Sequence, residues 1–180
     1  MDVIIMSEKT KKIAPKNYVI YGIICILTIV LVFYLSMWYE TRKEYYKNNS
    51  VMSELLAQIN QQELTSYTLE NPNSIIYVAS SKDEQIKSFE KELKKFVLDN
   101  EINNQMVYLD ISQSDNVGLK NTIKTLAPSN LKVDSFNIES GINFIIFENG
   151  QVKAILHKDS DSAQIDHVKN FFTVYEIVEE

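Results

Sequence analysis

The chain has 180 residues, a length that fits one domain plus an anchor and excludes two full domains. It is 45% apolar and 23% charged with 4 Gly and 3 Pro, which excludes collagen-like, low-complexity and long flexible-linker architectures. The net charge of −6 is divided: residues 1–17 carry Lys9, Lys11, Lys12 and Lys16 against Asp2 and Glu8 (+2), and residues 40–180 carry the other 14 basic and 22 acidic side chains (−8), an acidic balance that argues against a nucleic-acid partner.

Residues 1–17 read as a short basic tail, expected in the cytoplasm. Met6-Ser7-Glu8-Lys9 resembles a translation start, which would make residues 1–5 a gene-model extension. Tyr18 to Tyr39 (YVIYGIICILTIVLVFYLSMWY) contains no charge, and as a helix it spans about 33 Å, enough for a bilayer core. Tyr18 and Tyr21 at one end, with Tyr34, Trp38 and Tyr39 at the other, form the aromatic belts of a membrane span. A cleaved signal peptide is the main rival. It requires a shorter apolar core and a small-x-small cleavage site, and Ser36-Met37-Trp38-Tyr39-Glu40 is a poor one. The chain's one cysteine, Cys25, lies inside the span and follows Ile23-Ile24, which does not suit a lipoprotein; it reads as a small packing residue. Arg42, Lys43 and Lys47 flank the far end, so the bias towards an inside N-terminus is slight. The expected topology is single-pass in a cell membrane, with the C-terminal domain extracytoplasmic.

Residues 40–64 contain neither Pro nor Gly, and Val51, Leu55 and Ile59 recur at i, i+4, i+8 beside Met52 and Leu56. That spacing predicts a helical stalk whose stripe packs on the domain or mediates self-association. Asn48-Asn49-Ser50 fits a glycosylation acceptor, relevant only in a host that glycosylates.

The domain is expected over 65–180. Leu64 to Leu69 suggests a short edge strand, Asn71-Pro72-Asn73 a turn, and Ile75 to Ala79 a central strand. Asp83 to Asn100 reads as a helix with Ile86, Phe89, Leu93, Phe96 and Val97 on its apolar stripe. Glu84, Glu90, Glu92 and the lysines fall to the wet faces, with pairs such as Glu90–Lys94. Met106 to Ile111 is a second strand. Ser114 or Asp115 would cap a helix through Leu119, Ile123 and Leu126, stopped by Pro128. Phe144 to Phe147 and Val152 to Leu156 form a hairpin closed by Asn149-Gly150. Ser160 or Ser162 would cap a last helix with Ile165, Val168, Phe172 and Tyr175 inward.

Parallel strands joined by helices, then an antiparallel hairpin and a closing helix, make an α/β three-layer domain with a mixed sheet. Phe147-Glu148-Asn149-Gly150-Gln151-Val152 resembles the F-x-N-G-x-V hairpin of thioredoxins, and Tyr77-Val78-Ala79-Ser80-Ser81 resembles the strand leading into their active site. The resemblance covers about residues 65–178 and implies a thioredoxin-like fold. Where that family carries Cys-x-x-Cys, this chain has Lys82-Asp83-Glu84-Gln85, and where it carries a cis-proline, Ile142 follows Gly141. Thiol–disulfide exchange needs a thiolate, so the domain is redox-dead.

No other catalytic set emerges. His157 and His167, the only histidines, lie among Asp159, Asp161 and Asp166 at spacings that match no zinc or calcium loop, and carboxylates at a helix start explain them. Asp110 ends a strand without a convergent partner, and Ser80 and Ser81 lack a base. No enzyme activity and no cofactor or metal is implied. The expectation is a membrane-anchored, redox-inactive binding or scaffolding module that meets an unidentified protein partner through Ser80, Ser81, Lys82, Asp83, Glu84, Gln85, Ser140, Gly141 and Ile142. The alternatives are an extracytoplasmic holdase or an enzyme with non-thiol chemistry, told apart by whether the protein suppresses client aggregation, and a purely structural subunit. High Ile, Lys and Asn content suits a Gram-positive bacterium with an AT-rich genome.

Overall fold

The computed structural model describes residues 15–112, 116–138 and 140–179. The chain divides into two compact units between Glu44 and Tyr45.

Helix α1 runs Pro15–Asn48. Its stretch Asn17–Arg42 is long and apolar enough to cross a membrane. Every large apolar side chain from Tyr18 to Tyr39 is at least 50% exposed. Two hydroxyls in this stretch bond within the helix: Thr28 Oγ1 donates to Ile24 O (2.8 Å) and Thr41 Oγ1 to Met37 O (2.9 Å). The Arg42 guanidinium lies over the Trp38 ring, 4.8 Å from its centroid.

In the second unit, β1 (Ala57–Ile59), α2 (Leu64–Glu70), β2 (Ser74–Ala79), α3 (Lys87–Asp99), β3 (Met106–Asp110), α4 (Asn116–Leu126), β4 (Ile142–Glu148), β5 (Gln151–Lys158) and α5 (Ile165–Val174) follow in order. The five strands form one sheet in the order β1-β3-β2-β4-β5. β1 and β2 run parallel to β3, while β4 is antiparallel to both β2 and β5. This is the expected three-layer, thioredoxin-like arrangement. β2 is central and buried along its whole length, which is why it reads as an unbroken apolar run. Ile75, Tyr77 and Ala79 face one core with Phe89, Leu93 and Val97 of α3 and Val168 and Phe172 of α5. Ile76 and Val78 face the other, with Leu64 of α2 and Leu119 and Ile123 of α4. Phe144 centres the first core, with Tyr77, Phe172 and Phe89 ring centroids at 5.0, 5.6 and 6.5 Å.

The helix expected over 40–64 continues from the apolar stretch only as far as Asn48. A 3-10 turn then covers Met52–Glu54, and Ala57–Ile59 is the first strand of the sheet. The apolar spacing there serves two different cores: Met52 and Leu56 bury against α3, and Ile59 buries on the opposite face of the sheet. The domain therefore starts before residue 65. Leu64–Glu70, expected as a strand, is helix. A capping box just ahead of it explains this: Asn60 Oδ1 accepts from the amides of Gln62 (3.0 Å) and Glu63 (3.1 Å), and Glu63 Oε2 accepts from Asn60 N–H (2.9 Å).

The hairpin forms as expected, with Asn149 at φ 54° and Gly150 at φ 75°. Its tip is gripped by the turn before β2: Asn149 N–H donates to Asn73 Oδ1 (3.0 Å) and Gly150 N–H to Pro72 O (2.9 Å). The cap expected at Ser114 or Asp115 lies outside the described residues. The last helix is preceded by Gln164 as its N-cap residue, with no side-chain cap bond, in place of Ser160 or Ser162. Ser162 Oγ donates instead to Asp159 O (3.2 Å), and Ser160 Oγ to Asp83 Oδ2.

Candidate functional site

Ala79 pairs with Ile142 across β2 and β4, and Ile142 pairs with Lys158 across β4 and β5. This register brings the turn after β2, the loop before β4 and the end of β5 to one end of the sheet. The turn is braced from three sides. Ser81 N–H donates to Asp110 Oδ1 (3.0 Å), Asp83 Oδ2 accepts from Ser160 Oγ, and Lys82 Nζ reaches Ser112 O at 3.5 Å. Asp83 Oδ1 also accepts Gln85 N–H (2.9 Å), so this aspartate shapes a turn, and α3 begins at Lys87 in place of Asp83.

The nine expected surface residues divide by exposure. Lys82, Glu84, Gln85 and Ser140 are exposed, Ser80 and Asp83 are half-buried, and Ser81 and Gly141 are buried. Ile142 has 0% exposure and belongs to the core, so its side chain offers nothing to a partner. Ser140 Oγ accepts from Asn137 Nδ2 (2.8 Å). Gly141 sits at φ +69° against the Lys158 backbone.

Asp110 is part of this brace. Burial pushes its carboxyl up, but the amides and hydroxyls of Ser81 and Ser112 together bring it below the usual value. A depressed folded value contributes stability that is present above the unfolded value and is lost as pH falls through the folded one. We expect Asp110→Asn, which resembles the protonated acid, to be less stable than the wild type near neutral pH and to converge on it in acid, so that acid denaturation of the full chain in detergent shows a shallower pH dependence in the variant. An unchanged acid limb in that variant would remove Asp110 from the account.

Beside this end, His157 Nδ1 lies 2.8 Å from Asn143 Oδ1 and Nε2 lies 3.5 Å from Asp159 Oδ1. Asn143 is fully buried, and its Nδ2 has no partner among the described residues. No group of three or more His, Cys, Asp and Glu side chains able to hold a metal ion occurs among the described residues.

Sequence reasoning missed the most unusual residue. Glu90, expected on a wet face and paired with Lys94, is 0% exposed. Its Oε1 accepts from Ser50 Oγ (2.6 Å) and Tyr77 Oη (3.0 Å), and its Oε2 from Val51 N–H (2.7 Å). Lys94 pairs with Glu54 instead, at 2.8 Å. Burial raises the Glu90 carboxyl above its ordinary value, and the three hydrogen bonds only partly offset this. Tyr77 is pushed up by burial and by the charge of Glu90. Tyr77 stacks on Tyr108 with centroids 5.6 Å apart, and Tyr108 Oη donates to Ala79 O (3.1 Å) at the start of the braced turn. The signal was present in the sequence: Glu90 stands four residues after Ile86 and seven before Val97, on the apolar stripe itself.

No family model matches the chain. No curated protein matches it either. Among solved structures it is similar to thioredoxin f2 of Chlamydomonas reinhardtii, at 13% identity over 69% of this chain and 99% of that one, with a TM-score of 0.48. It is also similar to mitochondrial thioredoxin 3 of Saccharomyces cerevisiae in its oxidised form (12%, 66% and 94%, TM-score 0.46) and to thioredoxin O1 of Arabidopsis thaliana in its oxidised state (15%, 69% and 98%, TM-score 0.43). The strand order, the two parallel pairings and the antiparallel hairpin give the domain a thioredoxin-like fold, with Lys82-Asp83-Glu84-Gln85 where a thiol pair would stand and no cysteine outside α1.

Proposed function

We propose that this chain is a single-pass membrane protein that displays a redox-inactive, thioredoxin-like binding module outside the cytoplasm. On this reading the module docks a protein partner within a membrane assembly through Lys82, Glu84, Gln85 and Ser140. The observation that carries the reading is the turn itself. It has no sulfur, yet it is held in a fixed shape by Asp110, Ser112 and Ser160, and a preorganised exposed turn suits recognition. The exposed apolar helix supports the anchor, and the +2 balance of residues 1–17 supports a cytoplasmic N-terminus.

The test is in-cell crosslinking of the tagged full chain, followed by detergent extraction and mass spectrometry. A near-stoichiometric partner is expected, with crosslinks at Lys82. The charge changes Lys82→Glu and Gln85→Glu together should reduce its recovery by about tenfold, since like or mismatched charges across an interface are costly. Recovery unchanged by these variants would refute the surface. Self-crosslinks alone would refute the partner.

A further inference from the structure

Ser50 stands two residues beyond Asn48, the end of α1, and is buried. The strap from Ser50 to Leu56 lies against α3, with Met52 and Leu56 in the same core as Phe89 and Leu93. Its buried polar attachment to that helix is Glu90.

The three donors on Glu90 are not equivalent. The hydroxyls of Ser50 and Tyr77 share Oε1, and a hydroxyl can rotate to accept a hydrogen bond as well as donate one. Val51 N–H, on Oε2, can only donate. A proton placed on Oε1 therefore finds an acceptor, while the Val51 bond survives. No described basic side chain forms an ion pair with Glu90. The titratable groups around it are Lys87 on its own helix, which acts on it as a favourable charge, and Tyr77 and Tyr108 on β2 and β3. Lys94, one turn further along α3, is engaged by Glu54 of the strap. An unpaired carboxylate in such surroundings carries a large burial cost that protonation removes.

We propose that the docking of residues 50–56 on α3 is proton-coupled: the strap binds tightly with Glu90 protonated and loosens as Glu90 ionises at rising pH. The sign follows from linkage. Docked, Glu90 is raised by burial; with the strap lifted, its carboxyl is hydrated and returns towards 4.5. The docked form thus holds a proton that the lifted form releases. Docking is favoured below the lifted-state value and weakens as pH rises through the docked one. The attachment of the strap to α3 becomes pH-dependent, whatever the braced turn binds.

The test is hydrogen–deuterium exchange of the full chain in detergent micelles between about pH 5 and pH 8. Protection of residues 49–56, corrected for chemical exchange, is expected to fall by about tenfold across that range, with β2 and β4 unchanged. In Glu90→Gln, a neutral mimic of the protonated acid, protection should stay high and flat. Protection independent of pH in the wild type, rising with pH, or falling equally in the variant would overturn the proposal. Should the variant not fold, infrared titration of the wild type decides. A buried protonated carboxyl band lost with the same midpoint as the protection supports it, and no such band overturns it.

Discussion

Gly141→Ala is expected to destabilise the domain by at least about 3 kcal/mol, measured by urea denaturation of the full chain in detergent with circular dichroism. Two effects combine at this position. A Cβ on residue 141 would run into Lys158 O and stand 3.0 Å from Lys158 C and Asp159 Cα, all backbone atoms that no rotamer change can move. The φ of +69° adds the cost of a left-handed conformation for a residue with a side chain. Relief would require opening the Ile142–Lys158 pair at the end of β5. Gly150→Ala is the matched control. Its φ is +75°, but the nearest atom, Thr68 O, lies 3.7 Å from the new Cβ, so only the conformational cost of about 1 kcal/mol remains. Equal losses in the two variants would show that the Lys158 clash is not what demands glycine at 141.

Glu90→Ala is the second large effect, expected at about 3 kcal/mol in the same assay. The main part is Val51 N–H, a partly buried donor that keeps much of its desolvation cost once Oε2 is gone. The Ser50 and Tyr77 hydroxyls lose their common acceptor as well, and a cavity remains beneath the strap. Removing a buried charge returns some of this, which is why the figure stays below a full sum of three bonds. Glu90→Gln keeps an acceptor for Val51 and an amide for the hydroxyls, so it should cost about 1 kcal/mol or less. An alanine variant as stable as the wild type would mean that burial of the carboxylate cancels everything its hydrogen bonds contribute.

The strands were legible where burial is two-sided or the turn is diagnostic. Ile75 to Ala79 is an unbroken apolar run because β2 is covered on both faces, and Asn149-Gly150 has the backbone freedom that a tight hairpin requires. The stretch 49–70 was not legible by periodicity. Met52, Leu56 and Ile59 reproduce helical spacing while serving a 3-10 turn and a strand on opposite sides of the sheet. Only the Asn60–Glu63 capping box marked where a helix really starts. At the candidate site, the sequence placed the turn and the Ser140–Ile142 loop together, and the Ala79–Ile142 pairing does so. It did not separate Ile142, whose side chain belongs to the core, from Lys82 and Gln85 on the surface. Nor did it find Ser50 as the partner of Glu90, because nothing local relates residues forty positions apart.

The position of β2 also constrains how the protein is made. Ile75 pairs with Met106 on one side but with Ile146 on the other, so the central strand lacks one neighbour until the ribosome has added about seventy further residues. At typical elongation rates that interval is on the order of 4 to 14 seconds. During it, an apolar strand edge is unpaired. Synthesis of β4 and β5 is therefore the event that commits the nascent chain to its fold. A ribosome stalled before Ile142 would hold an open sheet that invites strand addition from other chains.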